Sequence, residues 1–75
     1  MPRTPKVEDQ EILREIALFK HPVITAADLA EKLDYSTDGV RNRLNTLKEK
    51  GYVNSRDVGA RAEVWWLTDE GRSQL

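Results

Sequence analysis

Three residues, Asp34 to Ser36, are all that separate two amphipathic helical patterns in this chain. The first pattern carries Leu29, Ala30 and Leu33 on one face. Thr25, with Asp28 three positions on, fits a capping box in which each side chain satisfies a free backbone N–H of the other. This helix is expected to start beside Thr25 and stop near Asp34. The second pattern places Val40, Leu44 and Leu47 at i, i+4 and i+7, after Ser36 or Thr37 as N-cap and before Gly51 as a left-handed stop. So short a break forbids a long antiparallel pair, and the two helices must cross steeply.

A helix-turn-helix is the economical reading, and the flanking segments fit around it. Before it, residues 7–20 hold Ile12, Leu13, Ile16, Ala17 and Phe19 against charged partners, a helix whose apolar stripe later elements must cover. Asp9 and Glu11 at its start, and Lys20 and His21 at its end, suit the helix dipole. Pro22 ends it, and Val23-Ile24 is an apolar step able to add a short strand. After Gly51, residues 52–58 and 61–67 are β-favouring runs around Gly59-Ala60, where a hairpin turn with positive φ at glycine is expected. Thr68 to Gly71 reads as a cap for a last stub of helix. The predicted fold class is α+β, three helices with a short strand and a C-terminal β-hairpin.

The 75 residues make one small domain, expected over 7–75 with a disordered arm over 1–6. That is near the lower limit for a core without metal or disulfide. The chain has no cysteine, which excludes disulfide scaffolds, thiol catalysis and cysteine-rich zinc sites, and makes a reducing, cytoplasmic setting the expectation. No apolar run approaches the roughly 20 residues a membrane span needs. The first residues, with two prolines and no apolar stretch, form neither signal peptide nor anchor. No nucleophile–base pair, phosphate-cradling loop, isolated carboxylate pair or metal-ligand spacing stands out, so neither an enzyme nor a metal or cofactor site is expected.

Charge is informative in its distribution. Overall 12 basic residues face 13 acidic ones, a net of −1, where many DNA-binding domains are strongly basic. Yet residues 36–50 hold Arg41, Arg43, Lys48 and Lys50 against only Asp38 and Glu49, while residues 21–35 hold Lys32 against Asp28, Glu31 and Asp34. The positive charge concentrates on the second helix of the pair.

Thr25-Ala26-Ala27-Asp28-Leu29-Ala30, Val40-Arg41-Asn42-Arg43-Leu44, Leu47-Lys48-Glu49-Lys50-Gly51-Tyr52-Val53 and Trp66-Leu67-Thr68-Asp69-Glu70-Gly71-Arg72 resemble winged helix-turn-helix transcriptional regulators, most of all small prokaryotic ones of the MarR-like type. The resemblance covers nearly the whole chain after Val7. It implies a recognition helix, about 36–50, entering the DNA major groove, and a hairpin wing, about 52–67, touching phosphates or the minor groove. Two departures stand out. The wing here carries no net charge, Arg56 and Arg61 being balanced by Asp57 and Glu63, where wings in this family are often basic. The long flanking helices that make the MarR dimer are not in these residues, so a dimer is expected to be built differently.

Within that frame Arg41 and Asn45, at i and i+4, suit purine edges, Arg for guanine and Asn for adenine. Thr37 and Asn42 are candidates for bases or phosphates. Asp38 either repels misplaced phosphate or accepts a bond from cytosine. Ser36, Arg43, Lys48, Lys50, Arg56 and Arg61 are the phosphate candidates. The competing reading is an ordinary solvated helix face for Arg41 and Asn45, a local ion pair with Glu49 or Asp38 for Arg43, Lys48 and Lys50, and a plain N-cap for Ser36. Trp65 and Trp66 must point to opposite sides of the sheet. Trp65 and Leu67 are expected to pack on the helices, leaving Val64 and Trp66 as an outer patch for a symmetric homodimer or other partner, unless the N-terminal arm or Leu75 covers it. The expected function is double-stranded DNA binding by a dimer reading half-sites about 10 base pairs apart. The alternative is a winged-helix module that docks proteins without specific DNA binding.

Overall fold

Residues 8–59 and 62–75 are described by the computed structural model. The expected N-terminal arm and the phosphate candidate Arg61 lie outside the described residues. The elements run α1 (Asp9–Leu18), β1 (Ile24–Thr25), α2 (Ala26–Leu33), α3 (Thr37–Glu49), β2 (Val53–Gly59), β3 (Ala62–Leu67) and α4 (Asp69–Arg72), the order that periodicity and caps predict.

The two central helices form where their caps place them. Thr25 Oγ1 accepts from the Asp28 N–H at 3.0 Å while Asp28 Oδ2 accepts from the Thr25 N–H at 3.5 Å, closing the capping box. Asp34 ends α2 in the left-handed region at φ 54°, a conformation its short polar side chain tolerates. That reversal lets the Tyr35 N–H reach the Ala30 carbonyl at 2.9 Å. Ser36, not Thr37, caps α3, its Oγ accepting from the Gly39 N–H at 3.0 Å. Gly51, at φ 86°, turns the chain out of α3 toward the sheet.

α1 is shorter than its apolar stripe suggests. It begins after Glu8, whose backbone N–H is held by Glu11 Oε1 at 3.2 Å. It ends at Leu18 because Phe19 leaves the helix in an extended conformation and lays its ring 5.3 Å from Lys32 Nζ and 5.5 Å, edge-on, from the His21 ring. Lys20 and His21 therefore fall beyond the last turn, and the dipole role expected of them is not realised. Ala17, counted with the stripe, is exposed; Ile12, Leu13 and Ile16 are buried.

The three strands form one antiparallel sheet in the order β1-β3-β2, with Ile24 opposite Trp65 on one side and Ser55 opposite Trp65 on the other. Gly59 has the expected positive φ, 112°, but occupies the end of β2, paired with Ala62, after a register shift beyond Asp57. The register shift falls just before the expected Gly59-Ala60 turn, of which Ala60 lies outside the described residues.

Trp65 sits at the centre, 1% exposed, among Ile12, Leu29, Val40, Leu44, Leu47 and Val53. Leu67 is buried with it, as the pleat predicts. α4 closes one end, and its glycine is a packing requirement. A Cβ at Gly71 would be driven into the Tyr52 carbonyl oxygen, a backbone atom that already accepts the Thr68 N–H at 3.1 Å. Thr68 Oγ1 also donates to the Gly51 carbonyl at 2.6 Å, so α4 and the α3–β2 turn are locked together. Gly71→Ala is expected to lower stability by about 1–3 kcal/mol through this overpacking, despite alanine's better helix propensity. Urea unfolding reads the change. An unaltered midpoint would show that α4 can lift off the turn without cost.

Candidate nucleic-acid interface

α3 is the candidate interface because its two sides have different obligations. With about 100° between successive residues, the buried Val40, Leu44 and Leu47 form one stripe, and Asp38, Arg41 and Asn45 lie to one side of it with Asn42 beyond. All four of these are exposed, while Thr37, in the first turn, is half-buried. Asp38 Oδ1 lies 3.6 Å from an Arg41 guanidinium nitrogen, with the two side chains 92% and 53% exposed. An ion pair so wet is worth little, so Arg41 gives it up readily for a better partner.

The phosphate candidates are not gathered on that side. Arg43 and Lys50 turn to the opposite flank, toward α1, where Asp9 meets Arg43 Nη2 at 3.0 Å and Lys50 Nζ at 3.3 Å. These partners correct the expectation of local pairs with Glu49 or Asp38. Asp9 lies 41 residues from Lys50 in sequence, beyond the reach of helical spacing. Lys48 Nζ donates to Ser55 Oγ on β2 at 2.9 Å. The Ser36 hydroxyl serves as N-cap. Arg56 stands opposite Val64, one step out of phase with the Ser55–Trp65 pair, so it lies on the sheet face turned away from the helices.

Val64 and Trp66 share that outer face but are half-buried rather than open. Trp66 lines a cleft of about 520 Å³ with Phe19, Pro22 and Val23, so among the described residues the α1–β1 connection stands beside it. Among the described residues the strongly exposed large apolar side chains are instead Leu18, Val58 and Leu75, 55–72% exposed.

A second groove, about 530 Å³, runs between the start of α2, the reading side of α3 and the wing, and is lined by Thr25, Thr37, Arg41, Asp57 and Glu63. Its acidic wall was not foreseen. Nor was the seat of Tyr35, whose ring lies over Gly39 so closely that a Cβ there would come within 2.5 Å of Tyr35 Cε2. A glycine in the first turn of a helix was the signal, since nothing in helix propensity explains it. Among the described residues no group of three or more His, Asp or Glu side chains is placed to hold a metal ion. No helix among them is long and apolar enough to cross a membrane.

Residues 9–54, from the start of α1 through α3 into β2, match the family model described as winged helix-turn-helix DNA-binding. The chain belongs to that family. The winged helix-turn-helix is similar in sequence to a Haloarcula marismortui protein named as a DNA 3'-5' helicase, Rad25, with 30% identity over 66 residues, 88% of this chain and 11% of the helicase. In structure it is similar to a Staphylococcus aureus MepR variant bound to an oligodeoxyribonucleotide, with TM-score 0.79, 22% identity, and coverage of 87% of this chain and 49% of that one. It is similar also to Lactococcus lactis ZitR, a zinc-responsive MarR family member, with TM-score 0.73, 28% identity, and coverage of 95% and 50%. The chain thus spans about half the length of the regulators whose fold it shares, and a small part of the helicase. The four helices and three-stranded antiparallel sheet are those of the MarR-type winged helix.

Proposed function

We propose that this domain reads double-stranded DNA in a sequence-specific way as part of a cytoplasmic, non-enzymatic transcriptional regulator, with α3 in the major groove. The observation that carries this is the division of α3, where Val40, Leu44 and Leu47 are buried while Arg41, Asn42 and Asn45 are exposed. Arg and Asn are the side chains that make two-pronged contacts with guanine and adenine edges. That a MepR variant sharing this fold is bound to an oligodeoxyribonucleotide supports the DNA-binding reading. A single domain makes few base contacts, so a two-fold homodimer reading half-sites about 10 base pairs apart is the form in which it would bind tightly. The outer sheet face with Val64 and Trp66, and the cleft beside it, is the surface we assign to that partner.

The test is affinity for a selected duplex and a scrambled one across salt concentrations. A preference for the selected duplex, with log affinity falling linearly as log salt rises, is expected. Equal binding to both sequences would remove the specific readout, and no binding would remove DNA.

The near-neutral wing favours a second reading, a module that docks a protein partner. Loss of partner capture on Trp66→Ala, with Arg41→Ala silent, would establish it. The match to a region of the longer helicase supports a variant of the first reading, in which the same head delivers a larger DNA-acting protein to its substrate.

A further inference from the structure

Among the described residues, the wing's charges are sorted by face. In the β2–β3 register Val53, Ser55 and Asp57 stand opposite Leu67, Trp65 and Glu63. Successive strand residues alternate sides, so the face that carries the buried Trp65 toward the helices also carries both carboxylates, and Arg56 goes to the other side with Val64 and Trp66. Two like charges directly opposite each other weaken a hairpin, so this arrangement is not one that hairpin stability selects. Glu63 is half-buried, and its Oε2 accepts the Ser55 hydroxyl at 2.8 Å. Ser55 Oγ in turn accepts from Lys48 Nζ at 2.9 Å. Asp57 and Glu63 also share a groove with Arg41.

We propose that Glu63 and Asp57 are specificity-determining residues: Glu63 holds Lys48 through Ser55, and both carboxylates keep phosphate from the groove beside Arg41, so that base contacts rather than backbone attraction decide which DNA is bound. This rests on the DNA-reading function above. Each cation that meets a phosphate adds affinity for every sequence alike and steepens the salt dependence by about 0.9 in log–log slope. A lysine tethered to an acidic hairpin is withdrawn from that sum. Fixed carboxylates within a Debye length, about 8 Å at physiological salt, repel the backbone directly. With Arg43 and Lys50 turned to Asp9, Lys48 is the α3 cation hydrogen-bonded to β2, and Glu63 positions it without touching DNA.

The experiment measures binding of the full chain to a mixed-sequence duplex and to a selected one, from low to physiological salt, for wild type, Ser55→Ala, Glu63→Gln and Asp57→Asn/Glu63→Gln. The glutamine amide still accepts the Ser55 proton, so the hairpin stays paired, and thermal melts check each variant. Mixed-sequence affinity at low salt is expected to rise in that order, by about tenfold for the double variant, with a slope steeper by about 1 and a smaller ratio of selected to mixed binding. Variants that bind mixed duplex where wild type shows none support the inference, whatever becomes of the regulator reading. A flat series, a loss of affinity on Glu63→Gln, or no binding by wild type and variants alike overturns it. Loss of the wild type's preference for the selected duplex on Arg41→Ala bears on the DNA-reading function alone.

Discussion

Trp65→Ala is expected to leave the chain largely unfolded at room temperature, while Trp66→Ala stays folded. The two tryptophans are adjacent in sequence, on the central strand of the sheet, yet Trp65 is 1% exposed and Trp66 half-buried at the rim of a cleft. Truncating a buried aromatic costs about 3–5 kcal/mol in transfer and cavity terms, whereas whole domains have only about 5–15 kcal/mol to lose, with small ones at the low end. At position 65 the cavity would open between Ile24 and Ser55 on the neighbouring strands and the leucines of α2 and α3 beneath. No side chain can collapse into so central a void without dragging strands with it. At position 66 water already reaches the ring, so the loss is the smaller one of a partly covered surface. Circular dichroism melts with urea titrations separate the two. A cooperative Trp65→Ala transition within about 1 kcal/mol of wild type would mean the helices pack without the sheet.

How far the fold could be read from the sequence depended on the range of the interaction concerned. Thr25 with Asp28, Ser36 with Gly39, and the left-handed Gly51 are caps completed within a few residues, so the limits of α2 and α3 were legible to within a residue. The end of α1 was not, because Phe19 is drawn out of the helix toward Lys32 by packing that periodicity does not record. The register shift after Asp57 was not legible either, since it comes from strand pairing rather than from glycine's own preference.

The interface divides in the same way. Which side of α3 faces out followed from its buried stripe, and Arg41, Asn42 and Asn45 are where that stripe puts them. The partnership of Arg43 and Lys50 with Asp9 joins α1 to the end of α3, and no local pattern connects them. The acidic face of the wing is a different case, because it was legible in principle. Once Trp65 and Leu67 point to the helices, Glu63 must do so too. Counting the wing's charges gave zero and hid the fact that its acids and Arg56 lie on opposite faces.

Arg41→Ala with Asn45→Ala is expected to abolish discrimination between a selected duplex and a scrambled one while leaving folding intact. Both side chains are exposed on α3, and Asp38, the ion-pair partner of Arg41, is itself 92% exposed, so alanine, the better helix former, costs no stability there. Each two-pronged contact to a purine is worth about 1–3 kcal/mol of discrimination. One helical turn apart, both would read one short stretch of groove, and a two-fold dimer doubles the loss because the same substitution enters each half-site. The double variant should therefore keep weak, salt-sensitive binding through its remaining cations, with a selected-to-scrambled ratio near one. Competition anisotropy against both duplexes at two salt concentrations reads affinity and ratio together. A parallel fall on both sequences, with the ratio preserved, would assign Arg41 and Asn45 to the backbone and move base readout to Thr37, Asp38 and Asn42 at the start of the helix. A fall in the ratio alone fits the division of labour that the fold sets up, with α3 reading bases beside a wing whose groove-facing charges are acidic.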